Sequence, residues 1–191
     1  MTIRIVAIGG TVNPDSSTEQ ALNLAVAAAR AEGAQVKVFG GDYLRALPHY
    51  RGKGYGVEDG AEFVSAVREA DGVIVSAPGY HGSISGLVKN ALDYLEDLAR
   101  DERPYLEGRA VGLIATAYGD QATMGTLQTL RSVVHSLRGW PTPMGATVRV
   151  YQGLFSPDGE CLDDRARMQL ELVGRQTFRG ARALSLAEHG Q

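Results

Sequence analysis

With 191 residues, 44% of them apolar, the chain has the material for one domain with a sizeable core. A formal charge of −3, with basic residues that occur singly rather than in clusters, argues against a nucleic-acid partner. No apolar run reaches the ~20 residues of a membrane span, and the opening MTIRIVAIGG lacks a cleavage-site pattern, so neither a membrane anchor nor a signal peptide is expected.

Residues 3–8 are apolar and β-branched with little alternation, the pattern of a strand buried on both faces. A polar segment follows over residues 9–18, and Leu22, Ala25, Val26 and Ala29 then mark a helical face. Ser16 with Glu19, or Ser17 with Gln20, is placed to form a capping box at the start of that helix. Gly33 ends it, and residues 36–39 read as a second short strand. Residues 40–57, punctuated by glycines and Pro48, read as irregular. Phe63, Val64 and Val67 define a second helix, and residues 72–76 a third strand.

Residues 77–86 form a Gly-rich turn carrying Tyr80 and His81. A third helix runs over residues 87–98, with Leu87, Val88, Ala91, Leu92, Leu95 and Leu98 on one face. A charged connector, 100–107, leads to a fourth strand at 110–116. Residues 118–125 precede a fourth helix with Leu127, Leu130, Val133, Val134 and Leu137 inward. Residues 139–141 break that helix, 144–150 make a fifth strand, and 165–184 a last helix that frays from about Ala187. Five strands alternating with five helices, without repeat or linker, predict a single α/β domain over residues 1–191. Its core is a doubly wound five-stranded parallel sheet with helices on both faces.

Loops that leave the carboxyl ends of such strands are where ligands bind. Three of them, residues 9–18, 77–86 and 117–125, carry more Gly, hydroxyl and aromatic residues than a connector needs. The first has neither G-x-G-x-x-G nor a G-x-x-x-x-G-K-[ST] run. It offers Thr11, Ser16, Ser17 and Thr18 before a helix N-terminus, which suits one phosphate monoester and equally suits plain helix capping. In the second, which also carries Ser83, Pro78, Gly79 and Gly82 allow close backbone approach to a flat ligand, with Tyr80 or His81 over a ring face. Helix-flanking packing and a surface histidine are the ordinary alternatives. The third, with Ala117, Tyr118 and Gly119, repeats that theme or is an ordinary strand-to-helix turn. Cys161 is the single cysteine, and His49, His81, His135 and His189 lack ligand spacing, so no disulfide and no metal site are expected. The compartment implied is the cytoplasm.

Together these segments resemble a family. Residues 76–93, SAPGYHGSISGLVKNALD, are similar to the T-P-E-Y-N-x-S-x-P-G-x-L-K-N-A-[IL]-D stretch of the NAD(P)H-dependent FMN reductases. They agree at Pro78, Tyr80, Ser83, Gly86, Lys89, Asn90, Ala91 and Asp93. Residues 10–18 stand in place of that family's G-S-x-R-x-x-S-x-[NS]. The resemblance covers nearly the whole chain and implies a flavodoxin-like fold. It places the FMN phosphate among Thr11, Asn13, Ser16, Ser17 and Thr18, and the flavin ring against residues 78–83 and 117–119. In three places the chain departs from the pattern: Asn13 replaces Arg, Gly79 replaces Glu, and His81 replaces Asn.

The implied activity is hydride transfer from NADPH or NADH to FMN, with electrons passed to free flavin for a partner monooxygenase, or to a quinone, azo or metal acceptor. Because the flavin accepts the hydride, no catalytic side chain is named. Arg45, Arg51 and Lys53 are candidates for a pyridine-nucleotide phosphate, or simply solvate their loop. The resemblance further implies a homodimer or homotetramer. The third helix and its neighbour, with Tyr94 exposed, are candidate interface elements, and packing against the sheet explains their apolar face equally well. A flavodoxin-like electron carrier without a nicotinamide site, and a flavin-free module, are the alternatives to an enzyme.

Overall fold

Apolar β-branched runs become strands, and the helices between them bury one stripe each against the sheet. The computed structural model describes residues 1–13, 16–52 and 58–189; Pro14, Asp15, Lys53, Gly54 and Gly56 lie outside the described residues. In chain order the elements are β1 (Arg4–Gly9), α1 (Ser17–Ala31), β2 (Gln35–Phe39), α2 (Gly41–Ala46), α3 (Ala61–Glu69) and β3 (Gly72–Tyr80). There follow β4 (Ser83–Ile84), α4 (Gly86–Asp93), a 3-10 segment (Tyr94–Leu98), β5 (Ala110–Ala117), α5 (Asp120–Ser136), β6 (Trp140–Arg149) and α6 (Asp164–His189).

The parallel strands lie in the order β2-β1-β3-β5-β6, and β4 pairs antiparallel with the end of β3. Counting parallel strands alone, this is the 2-1-3-4-5 order of the flavodoxin-like fold, with its switch point between β1 and β3. Alternate residues face opposite layers. Ile5 and Ala7 of β1, Ile74 of β3 and Ile114 of β5 meet α1 and α6. Val6 and Ile8, then Val73, Val75 and Ala77, then Val111, Leu113 and Ala115, meet α3, α4 and α5. The central strands are buried on both faces, which is why they read as unbroken apolar runs. In β6, Thr142, Pro143 and Met144 bulge opposite Gly112 alone, between the Val111–Pro141 and Leu113–Gly145 pairs. Thr142 Oγ1 donates to Met144 O (2.9 Å), and Gln176 Oε1 accepts from Met144 N (2.8 Å), closing the bulge.

Several details differ from the sequence reading. Residues 40–57 are not wholly irregular, because α2 occupies Gly41–Ala46. Gly41 is there for contact: a Cβ would stand 1.9 Å from Thr11 O, so the helix start presses on the first loop. β3 does not stop at 76 but runs to Tyr80, carried on by its pairing with β4. The helix expected over 87–98 tightens into the 3-10 segment after Asp93. β6 begins at Trp140, where a break was expected.

Tyr94 is buried, not exposed, and its hydroxyl donates to Pro48 O (2.9 Å). Asn90 holds the same segment, accepting from Tyr50 N and donating to Pro48 O, both at 2.9 Å. Tyr50 OH donates to Asp97 Oδ1 (2.9 Å), so residues 48–50 are tied to the helix from three side chains. Just before β5, Arg109 is fully buried. Its guanidinium donates to Arg68 O (2.7 Å) and Ala70 O (3.0 Å), setting a cation at the carboxyl end of α3.

Candidate functional site

At the switch point the carboxyl ends of β1, β3 and β5 open into a cavity of ≈ 450 Å³. It is lined by Thr11, Asn13, Ser16, Ser17, Thr18, Pro78, Gly79, Tyr80, Thr116, Ala117, Tyr118 and Val150. Ten of the fourteen residues singled out from the sequence therefore meet in one place. His81, Gly82, Ser83 and Gly119 do not line it. His81 (φ 50°) and Gly82 (φ 86°) form the tip of the β3–β4 hairpin, and Ser83 pairs with Tyr80. Gly119 precedes α5, where its carbonyl accepts from Thr123 N (3.0 Å). Sequence reasoning missed Thr116 and Val150. Each stands at the end of a predicted strand, and that position was the signal available.

One end of the cavity is built from hydroxyls at the start of α1. Ser16 caps this helix: its Oγ accepts from Glu19 N (3.3 Å) and its carbonyl from Glu19 N and Gln20 N (both 2.9 Å). Thr18 is buried, and its Oγ1 lies 2.7 Å from Thr116 Oγ1, while Ser76 Oγ donates to Thr18 O (2.9 Å). These contacts lock the first turn of α1 to the ends of β3 and β5. Thr11 Oγ1 accepts from Asn13 N (3.2 Å), curling the loop after β1. Glu19 does not face the cavity: its carboxylate lies over Gly10 and Gly40, where added Cβ atoms would come within 3.2 and 2.9 Å of it. The described lining residues are all uncharged. Hydroxyls, amides and the positive end of a fifteen-residue helix are what this end offers an anion.

The other end is backbone and aromatic. Beyond the Pro78–Thr116 pair, β3 and β5 are no longer paired with each other, and their peptide groups border the cavity. Tyr80 is 52% and Tyr118 82% exposed, so both rings are free to cover a flat ligand. Arg149 Nε donates to Tyr118 O (3.3 Å) and fixes that loop from behind. Of the candidate cations, Arg45 pairs with Asp42 on its own helix (3.0 Å), Arg51 is exposed, and Lys53 lies outside the described residues.

Other concavities of similar size lie elsewhere, among them these two. One, at the amino ends of β1 and β2, is rimmed by the Arg4–Glu69 and Lys37–Glu62 ion pairs. The other lies between the first turns of α5 and α6, with Asp120, Arg149, Asp163 and Arg165 mixed in one wall. Neither combines an uncharged hydroxyl end with an aromatic end, and neither sits at the switch point.

A doubly wound sheet in this strand order, with a cavity at its switch point, defines a flavodoxin-like fold. The chain belongs to the NADPH-dependent FMN reductase family, whose model matches residues 3–151. It is 32% identical over 123 residues to an NADPH azoreductase of Bacillus sp., covering 63% of this chain and 64% of that protein. It is 37% identical over 82 residues to an FMN-dependent NADPH-azoreductase of Staphylococcus haemolyticus, covering 43% of this chain and 40% of that protein. The matched region thus spans just under two thirds of the first relative's length and less than half of the second's. Among solved structures, the apo form of an NADH:FMN oxidoreductase, EmoB, superposes with a TM-score of 0.73 at 26% identity. That match covers 95% of this chain and 90% of the other.

Proposed function

We propose that this protein is an NAD(P)H-dependent FMN oxidoreductase that holds its flavin in the switch-point cavity. The observation that carries the reading is one cavity joining an uncharged, hydroxyl-lined helix N-terminus to a backbone wall flanked by two exposed tyrosines. Its volume falls in the ordinary range for small-ligand sites. Thr11, Asn13, Ser16, Ser17 and Thr18 would hold the phosphate. Pro78, Gly79 and Tyr80, with Ala117 and Tyr118, would hold the ring. His81, Gly82, Ser83 and Gly119 would act at one remove, by shaping the loops that carry those residues.

Hydride acceptance and electron delivery are chemistry that the bound flavin supplies. The chain binds, orients and keeps water out, and no catalytic side chain is assigned. NADPH or NADH is the donor, and an azo compound is the favoured acceptor, in keeping with the names of the two relatives. A quinone, a metal oxyanion and a partner monooxygenase supplied with reduced flavin are the other acceptors of this reading. The exposure of Tyr118 supports a second copy of the chain closing the cavity, as homodimer or homotetramer, by way of the carboxyl-edge loops. The setting is the cytoplasm, where a buried, unpaired Cys161 stays reduced. Among the described residues no helix is long and apolar enough to cross a membrane.

Titration with FMN, followed by anaerobic addition of NADPH or NADH, tests the proposal. The expected outcome is saturable binding that turns the protein yellow, then loss of the flavin's visible absorption on adding nucleotide. Bound flavin that neither nucleotide reduces would make the protein an electron carrier. Absence of flavin binding would overturn the flavin reading altogether.

A further inference from the structure

Behind the wall formed by Pro78, Gly79 and Tyr80 stands α5. Val73, Val75 and Ala77 of β3 pack into the layer that contains Leu127 and Leu130 of α5. Gly79, two residues on, faces the same way. A Cβ there would fall 2.2 Å from Thr126 Oγ1, and 3.4 Å from both Ala122 O and Ala117 Cβ. The first of these distances is more than ~1 Å inside ordinary van der Waals contact. Thr126 is buried at 1% exposure, and its hydroxyl donates to Ala122 O (2.8 Å), so the oxygen is held on its own helix.

The FMN reductase pattern has Glu at position 79; here the strand carries no side chain, and the helix hydroxyl stands in the space. The contact is therefore hydroxyl against peptide backbone. Any side chain at 79 must either displace Thr126 or push the 78–80 backbone away from α5. The second route shifts the cavity wall itself, since Pro78, Gly79 and Tyr80 all line it.

We infer that Thr126 is a positioning residue: its hydroxyl, seated against Gly79, is the stop that sets how far the ring-side wall of the cavity stands from α5. The inference rests on the flavin reading of the cavity. Thr126 touches no ligand and acts through residues 78–80. Gly79 and Thr126 thus work as one unit of volume shared between strand and helix, and neither can be changed without an answer from the other.

A double-mutant cycle on the full chain tests this, read out by FMN affinity, by the visible spectrum of the bound flavin, and by KM against kcat for NADPH. Gly79→Ala is expected to weaken FMN binding on the order of tenfold and to shift the flavin spectrum, as a displaced wall should. Thr126→Ala, which removes the stop, weakens it by a smaller factor, and Thr126→Ser, which keeps the hydroxyl, binds like the parent. Gly79→Ala with Thr126→Ala returns the volume and binds more tightly than Gly79→Ala alone.

Effects that simply add, or a Gly79→Ala protein with the parent's affinity and spectrum, would overturn the inference while leaving the flavin reading intact. Should Gly79→Ala not fold, the double variant decides: folded and FMN-binding it upholds the shared volume, and failing in either respect it refutes it. A parent that takes up no FMN removes the flavin reading and this inference together.

Discussion

Ser16 and Ser17 are adjacent hydroxyls with different duties. Ser16 already serves α1 as its cap, so Ser16→Ala should lower stability by ~1 kcal/mol in addition to any loss of ligand. Ser17 sits in the first turn and lines the same cavity without that capping duty. Ser17→Ala should therefore weaken FMN binding about fivefold, ~1 kcal/mol, at an unchanged melting temperature. Flavin titration beside a thermal melt separates the two, and a Ser17→Ala protein with the parent's affinity would remove Ser17 from the phosphate end. These hydroxyls were legible because a cluster of them before a helix is a local signal. Thr116 was not, since its role depends on Thr18 lying 2.7 Å away across ninety-eight residues of sequence. Arg109 was equally silent: it falls between the charged connector and the strand that begins at 110 and was assigned to neither, yet the fold encloses it among carbonyls.

Among the elements, the hairpin formed by the end of β3 and β4 decides how Tyr80 stands at the cavity. Positive φ at both His81 and Gly82 makes its two-residue tip the mirror-image turn that matches strand twist, for which Asn-Gly is the favoured pair. Histidine tolerates this region and a β-branched residue does not. His81→Val is expected to cost about 1 kcal/mol in urea denaturation, with His81→Asn at or slightly above parental stability. Equal stability of the Val variant would mean that the turn is of another type. The sequence reading ended the strand at residue 76 and put Pro78 and Gly79 in the turn after it, because both residues commonly interrupt strands. Here Gly79 is required for packing against Thr126, and pairing with Ile84 keeps it extended. Gly41 misled in the same way, since a glycine needed for close approach to Thr11 looks like a helix breaker until the partner is known.

For the molecule as a whole, the five apolar runs and the helical stripes between them were enough to give the layers and the five parallel strands, though not the short antiparallel β4, because burial leaves so plain a pattern. Pairing of distant segments was not readable, and the fastening of residues 48–50 to α4 is one such pairing. It carries a pH consequence. Burial, then the hydrogen bond to Asp97 and the charges of Asp97, Glu96 and Asp93, push the Tyr50 phenol up to about 12. A raised value means the native state holds its proton longer than the unfolded chain. This stability is complete below ~10, the unfolded tyrosine value, and is lost as pH climbs towards the native value. Denaturation midpoints at pH 8 and at about pH 11 should therefore fall in the parent and fall less in Tyr50→Phe. Burial also raises Tyr43 and Tyr94, which leaves the variant a residual slope. An identical fall in both proteins would remove Tyr50 from the account.

The bulge in β6 matters beyond its own strand. An open sheet exposes unpaired peptide groups along its two outer strands, and these recruit strands from other molecules. On β6 the bulge breaks the register, and Pro141 and Pro143 offer no N–H. The opposite border, β2, is five residues long and carries Lys37. Both borders thus resist edge-to-edge growth of the sheet. A second copy that closes the cavity, as proposed above, would then dock through loops and helices rather than along a sheet edge.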